Sequence, residues 1–255
     1  MTDNNQENEF GQRVFNQFMD LFVTPEVRRR QEVGELDKPL DLRAAQIIFF
    51  PDGRKPQVRI NSEVRAIAKV KFRPDLTKKR GEPVYEDELE GLGQINLTEK
   101  DDPDCGHATL IRIAGRWTIA FDFRYNKALS KRHIETADEF CVSAEFCFSQ
   151  KKWSPFVDNL FSAAELAAKS ILLSMADPKF RKKARHKAIQ IKYNRFADLG
   201  NVEAVYRDTF NKLSGLRDRA RYLKGRLSIS ENEARKFLDI VKKMIGDARQ
   251  RVDIY

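Results

Sequence analysis

The sequence predicts an α+β protein: an N-terminal helix and an antiparallel β-sheet, followed by a bundle of five helices. Two changes of apolar period and one change of charge predict it. Apolar residues recur at helical spacing near the start, alternate with period two from about Leu40, and return to helical spacing after Tyr125. Strands and helices therefore occupy separate stretches. Charge divides at nearly the same place. Residues 1–127 hold 21 Lys/Arg against 22 Asp/Glu, or −1, whereas residues 128–255 hold 26 against 16, or +10. These changes divide the chain into an N-terminal helical segment (1–39), a β domain (40–127) and a helical domain (128–255).

Residues 1–9 are polar and read as disordered. Phe10, Val14, Phe15, Phe18, Met19, Leu21 and Phe22 then predict an amphipathic helix over 9–23, ending before Thr24-Pro25, with a short second helix over 25–33. Its aromatic face is expected to dock onto the rest of the fold. Ala45–Phe50 and Gln57–Ile60 flank the turn-rich Pro51–Pro56 and predict a hairpin. Val64, Ala66, Ala68, Val70 and Phe72 alternate with Arg65, Lys69 and Lys71, a half-buried strand with one basic face. Residues 73–92 read as a charged loop and Gln94–Thr98 as a short strand. Ala108–Ile113 and Arg116–Phe123 pair across Ala114-Gly115, with Trp117, Ile119, Phe121 and Phe123 on one face.

The helices follow at 128–149, 155–176, 178–199, 202–223 and from Ser230 onward. Ser154-Pro155 predicts an N-cap with proline at the first helical position. Gly200-Asn201 and Gly225 predict helix ends, and Ser230-Glu231-Asn232-Glu233 is a capping box.

Composition excludes several classes. The chain is 41% hydrophobic and 33% charged, which suits a globular protein. Runs such as Ile47-Ile48-Phe49-Phe50 are too short to cross a bilayer. The polar start predicts no signal peptide. Three cysteines without a C-x-x-C pair fit free thiols and a cytoplasmic location. His107 beside Cys105 lacks the partner ligands of a zinc site, and His133, beside Lys131 and Arg132, reads as solvated on an exposed helix face. No P-loop, GxGxxG, HExxH or G-x-S-x-G is present, so no metal or cofactor is expected.

Two arginine-centred signals stand out in the basic half. Arg217, Arg219, Arg221 and Tyr222 crowd the end of one helix, and Arg181, Lys182, Arg185 and His186 crowd a second stretch. Guanidinium groups keep their charge and are costly to bury unpaired, so they face water, a partner or an anion. Arginine beside a proton-transfer side chain suits phosphodiester cleavage, because the cation offsets phosphate charge while histidine moves the proton. Arg217 and Tyr222 are five residues apart, which puts them about 140° apart on a straight helix. They converge only across a seam, as between two subunits. The same basic surface also fits a solvated helical face or an acidic protein partner.

Residues 128–252 resemble HEPN domains, the helical modules of prokaryotic toxins and defence proteins. The resemblance rests on Ala137-Asp138-Glu139-Phe140, Asn159–Lys169, His186-Lys187, Leu216–Tyr222 and Ser230–Ala234 in that order. It implies a five-helix HEPN-like bundle acting as a homodimer on RNA, of a toxin or antiphage-defence type, with metal-independent ribonuclease activity. Arg217 matches the arginine of the family's Arg-x4-6-His pattern, while Tyr222 stands at the histidine position. In this resemblance Arg217 binds the scissile phosphate and Tyr222 holds the acid/base position. His186, with Arg181 and Arg185, forms a second candidate site, and Lys182, Arg219 and Arg221 are further nucleic-acid contacts. The alternative is a HEPN module that binds nucleotide, RNA, an antitoxin or a partner enzyme without cleavage.

Overall fold

The computed structural model describes residues 3–98, 104–113, 115–175 and 185–253. The chain divides into two compact units, Met1–Arg124 and Tyr125–Tyr255.

In the first unit, α1 (Asp3–Phe18) continues through a π-helical turn (Met19–Val23) into α2 (Thr24–Glu32). Residues expected to be disordered are thus helical from Asp3, and the break expected before Thr24-Pro25 does not occur. The Thr24 N–H bonds the Met19 carbonyl, and this wider turn accommodates a proline that would clash inside a regular helix.

Strands β1 (Ala44–Phe49) and β2 (Gln57–Ile60) form the expected hairpin. With β5 (Gly106–Ile113) and β6 (Arg116–Asp122) they make a four-stranded antiparallel sheet ordered β2-β1-β5-β6. Register explains its core. Ala45 lies opposite Ile60 and Leu110, and Ile47 opposite Val58 and Ala108, so all six share one face. Phe15, Phe18, Met19 and Phe22 pack against that cluster, so the aromatic face of the first helix docks on the sheet as expected. On the other face Gln46 is buried. Its amide donates to Arg65 O and Thr109 Oγ1 at 2.9 and 3.1 Å, and its oxygen accepts from Arg59 Nη1 at 3.1 Å. Burial on both faces explains why apolar Ile47 and Ile48 follow one another in β1 instead of alternating with polar residues.

The remaining strands form a separate two-stranded sheet, where the sequence suggested one sheet. β3 (Ala66–Phe72) alternates half-buried and exposed residues, with Lys69 and Lys71 outward. β4 runs from Leu89 to Leu97, longer than the expected Gln94–Thr98 and reaching into the stretch read as a loop. Gly91, Gly93 and the acidic residues before them mask its alternation.

The second unit contains five helices among the described residues: α3 (Lys127–Ser149), α4 (Trp153–Leu173), α5 (His186–Asp198), α6 (Ala204–Tyr222) and α7 (Glu231–Asp253). Helix α4 packs against all the others. Its alanines Ala163, Ala164, Ala167 and Ala168 are fully buried and let neighbouring helices approach closely. Local signals are partly kept. Ser230 Oγ accepts from Glu233 N–H at 3.2 Å, as the capping box predicts. Helix α4 instead starts at Trp153, before the expected Ser154 cap, and Pro155 occupies its first turn, where no N–H is needed. Helix α6 stops at left-handed Leu223, two residues before Gly225. No described helix is long and apolar enough to cross a membrane.

Candidate functional site

One face of α4 carries two carboxylates with an aromatic ring between them. Asp158, Phe161 and Glu165 are spaced three and four residues apart, the interval that stacks side chains on one side of a helix. Helices α5 and α6 deliver cations to the two ends of this row.

At the first end, Arg217 Nε donates to Asp158 Oδ1 at 2.9 Å. Arg221, one turn later on α6, reaches the same oxygen through Nη1 at 3.4 Å. Two guanidinium groups thus converge on one carboxylate oxygen, a geometry that suits an oxyanion. The Arg217 side chain is 12% exposed and that of Arg221 50%. Arg217 Cζ also lies 4.7 Å from the centre of the buried Phe161 ring, a cation–π contact. Phe161 in turn stacks on Phe210 at 5.6 Å, tying the site to the core.

At the second end, His186 is the first residue of α5, and its ring centre lies 6.2 Å from that of Phe161. Its Nδ1 is hydrogen-bonded to Glu165 Oε1. The Glu165 side chain is 10% exposed and the imidazole 66%. Arg217 and His186, from different helices, therefore flank the same aromatic ring. The sequence treated them as two separate signals; folding brings them to one place.

Other sequence candidates divide. Tyr222 is 54% exposed at the end of α6, with Lys224 Nζ 5.6 Å from its ring centre, and it is not brought to Arg217. Arg219 is exposed on the same helix. Arg185 is exposed with extended backbone just before α5. Of the helix expected over 178–199, His186–Asp198 is helical, and residues 178–184 lie outside the described residues. Arg181 and Lys182 lie outside the described residues.

His133 departs from expectation. It is half-buried on α3, and burial, with Lys169 and Arg132 nearby, pushes its pKa down to about 4. His107 is buried in β5, its Nδ1 3.0 Å from Thr109 Oγ1. Among the described residues no cluster of three or more His, Cys, Asp or Glu is placed to hold a metal ion. All three cysteines are buried and outside any disulfide, and the Cys141 thiol is pushed up to about 11, chiefly by burial.

Sequence reading missed Asp158 and Glu165. Their seven-residue spacing put both on one face of a predicted helix, and a glutamate within the alanine-rich Ala163–Ala168 was the available sign of a buried charge needing a partner.

The model of the HEPN domain family matches residues 130–251. The C-terminal half of the chain is thus a HEPN domain, a module found in ribonuclease toxins and defence proteins. No curated protein matches the chain.

Proposed function

We propose that the helical half acts on RNA, as a homodimeric toxin or antiphage-defence protein, and cleaves it without a metal ion. The observation that carries this reading is the convergence of Arg217 and His186 on Phe161. Arg217 and Arg221 hold a phosphate where Asp158 Oδ1 now lies, and His186 supplies the proton transfer. RNA brings its own nucleophile. The 2′-oxygen attacks the adjacent phosphorus as its proton passes to His186 Nε2, and an O2′–P bond forms. The P–O5′ bond breaks with its electron pair on the 5′-oxygen, which takes a proton from water. The products are a 2′,3′-cyclic phosphate and a 5′-hydroxyl. Arginine cations offset charge on the phosphate oxygens as they gain it. Tyr222, Arg219 and Arg185, exposed near the ends of α6 and α5, contribute base stacking and phosphate contacts. Arg181 and Lys182 would extend the same basic stretch.

A second reading has its own support. Asp158 already neutralises Arg217, and tyrosine stands where the family pattern has histidine. Both fit a module that binds RNA, nucleotide, an antitoxin or a partner enzyme without cutting.

Incubation of purified protein with mixed cellular RNA in EDTA tests both, with wild type beside Arg217→Ala and His186→Ala on a denaturing gel. Cleavage lost in both variants supports the nuclease. RNA bound but intact in wild type supports the binding module. Cleavage equal in all three lanes overturns the site.

A further inference from the structure

The buried carboxylate of Glu165 has a consequence for His186 that the cleavage chemistry does not itself require. We propose that Glu165 is a positioning residue that locks His186 in its Nδ1–H tautomer and thereby presents Nε2 to RNA as the proton acceptor. The proposal rests on the reading of the site as RNA-cleaving, but its structural part can be measured separately.

Two acceptor atoms cannot share a hydrogen bond, so the contact between His186 Nδ1 and Glu165 Oε1 requires a proton between them. With the carboxyl ionised and the imidazole neutral, that proton sits on Nδ1, and the lone pair is left on Nε2. Glu165 is 8% exposed between the buried alanines Ala163, Ala164, Ala167 and Ala168, and a carboxylate there is costly without a hydrogen-bonded partner. His186 meets that need among the described residues. The alternative tautomer would point a lone pair at the carboxylate and remove the hydrogen bond that Glu165 makes among the described residues. Exposure runs the opposite way on the imidazole, whose side chain is 66% exposed. One ring nitrogen is thus committed to the interior while the ring itself opens to solvent.

Position reinforces the tautomer. His186 opens α5, after Arg185 in extended backbone, so the ring is fixed by a helix start and one hydrogen bond. It flanks Phe161 together with Arg217. A phosphate on the arginines therefore brings an adjacent ribose toward the exposed nitrogen. Glu165 touches neither RNA nor the reacting atoms. It acts through the ring.

The test combines a spectroscopic signature with activity. Long-range ¹⁵N–¹H correlation spectra at about pH 8 would be recorded for wild type, Glu165→Gln and Glu165→Asp. The signals of the three histidines are assigned with His186→Ala. Wild type and Glu165→Asp are expected to show the Nδ1–H pattern. Glu165→Gln is expected to show a mixture, because an amide can donate to Nδ1 as well as accept from it. Glu165→Gln should also cut RNA about 100-fold more slowly while binding it within about twofold of wild type. An Nε2–H pattern in wild type, or an unchanged pattern in Glu165→Gln, overturns the proposal. So does equal loss of RNA binding and cleavage in a folded Glu165→Gln. If the tautomer follows Glu165 as expected but wild type does not cut RNA, the functional reading fails instead, and Nε2 has no proton-accepting role.

Discussion

The two ends of the polar row on α4 are built in opposite senses. At Asp158 the cation is the enclosed partner: Arg217 is 12% exposed and the acid 31%. At Glu165 the acid is enclosed, at 10%, and the imidazole is 66% exposed. A carboxylate near water leaves its arginines exchangeable, because a competing phosphate can take the same oxygen position. An enclosed carboxylate cannot leave, so it holds its histidine in one orientation. The first end can bind, and the second can orient.

Breaking the ring that joins the two ends should have the largest effect. Phe161 is 3% exposed and stacks on Phe210, so Phe161→Ala is expected to cost about 3–5 kcal/mol of unfolding free energy in urea titration. It should also abolish cleavage, since Arg217 and His186 both rest on it.

Removing the exposed member at the second end comes next. His186→Ala leaves Glu165 buried without its partner, which is expected to cost about 1–3 kcal/mol. The effect on stability sharpens the contrast with the first end. There, Asp158→Asn keeps an acceptor and removes a charge from a partly exposed pair, so stability should change by no more than about 1 kcal/mol. RNA affinity should rise several-fold, measured by filter binding, because Arg217 and Arg221 lose their internal anion. An affinity drop would mean that Asp158 holds the arginines in place rather than competing with the ligand.

The two histidines of the helical unit extend the contrast. His186 faces a carboxylate, whereas His133 faces cations and has its pKa pushed down to about 4 from an ordinary 6.5. A folded pKa below the unfolded one means that the unfolded chain binds the extra proton first. The contribution of His133 is thus intact above about pH 6.5 and is lost as pH falls toward about 4. His133→Gln should flatten that part of the stability profile, read by thermal denaturation between those limits. The smallest effect is expected at Tyr222. It is 54% exposed and not joined to Arg217, so Tyr222→Phe should leave cleavage and stability within error. A large loss of cleavage would instead place its hydroxyl at a subunit seam.

Elements were legible in the chain where one physical constraint governed them. Alternation marked β1, β3, β5 and β6 because each offers contrasting faces or a long apolar run. Where two local signals conflicted, reading failed. Thr24-Pro25 looked like a stop, yet the π turn before it carried the helix onward. Leu89–Leu92 looked like a loop because acids and glycine diluted its pattern, yet pairing with β3 made it a strand.

By itself the sequence determined the order of helices and strands, the basic second half and the candidate arginines and histidine, because period, charge and residue type are local properties. Tertiary structure alone decided which carboxylate meets which cation. Asp158 and Arg217 are 59 residues apart, and Glu165 and His186 are 21 apart. Helical spacing fixes which side a residue faces but not what faces it. Only the packing of α5 and α6 against the small residues of α4 brings those charges within hydrogen-bonding distance, where burial makes the pairing matter.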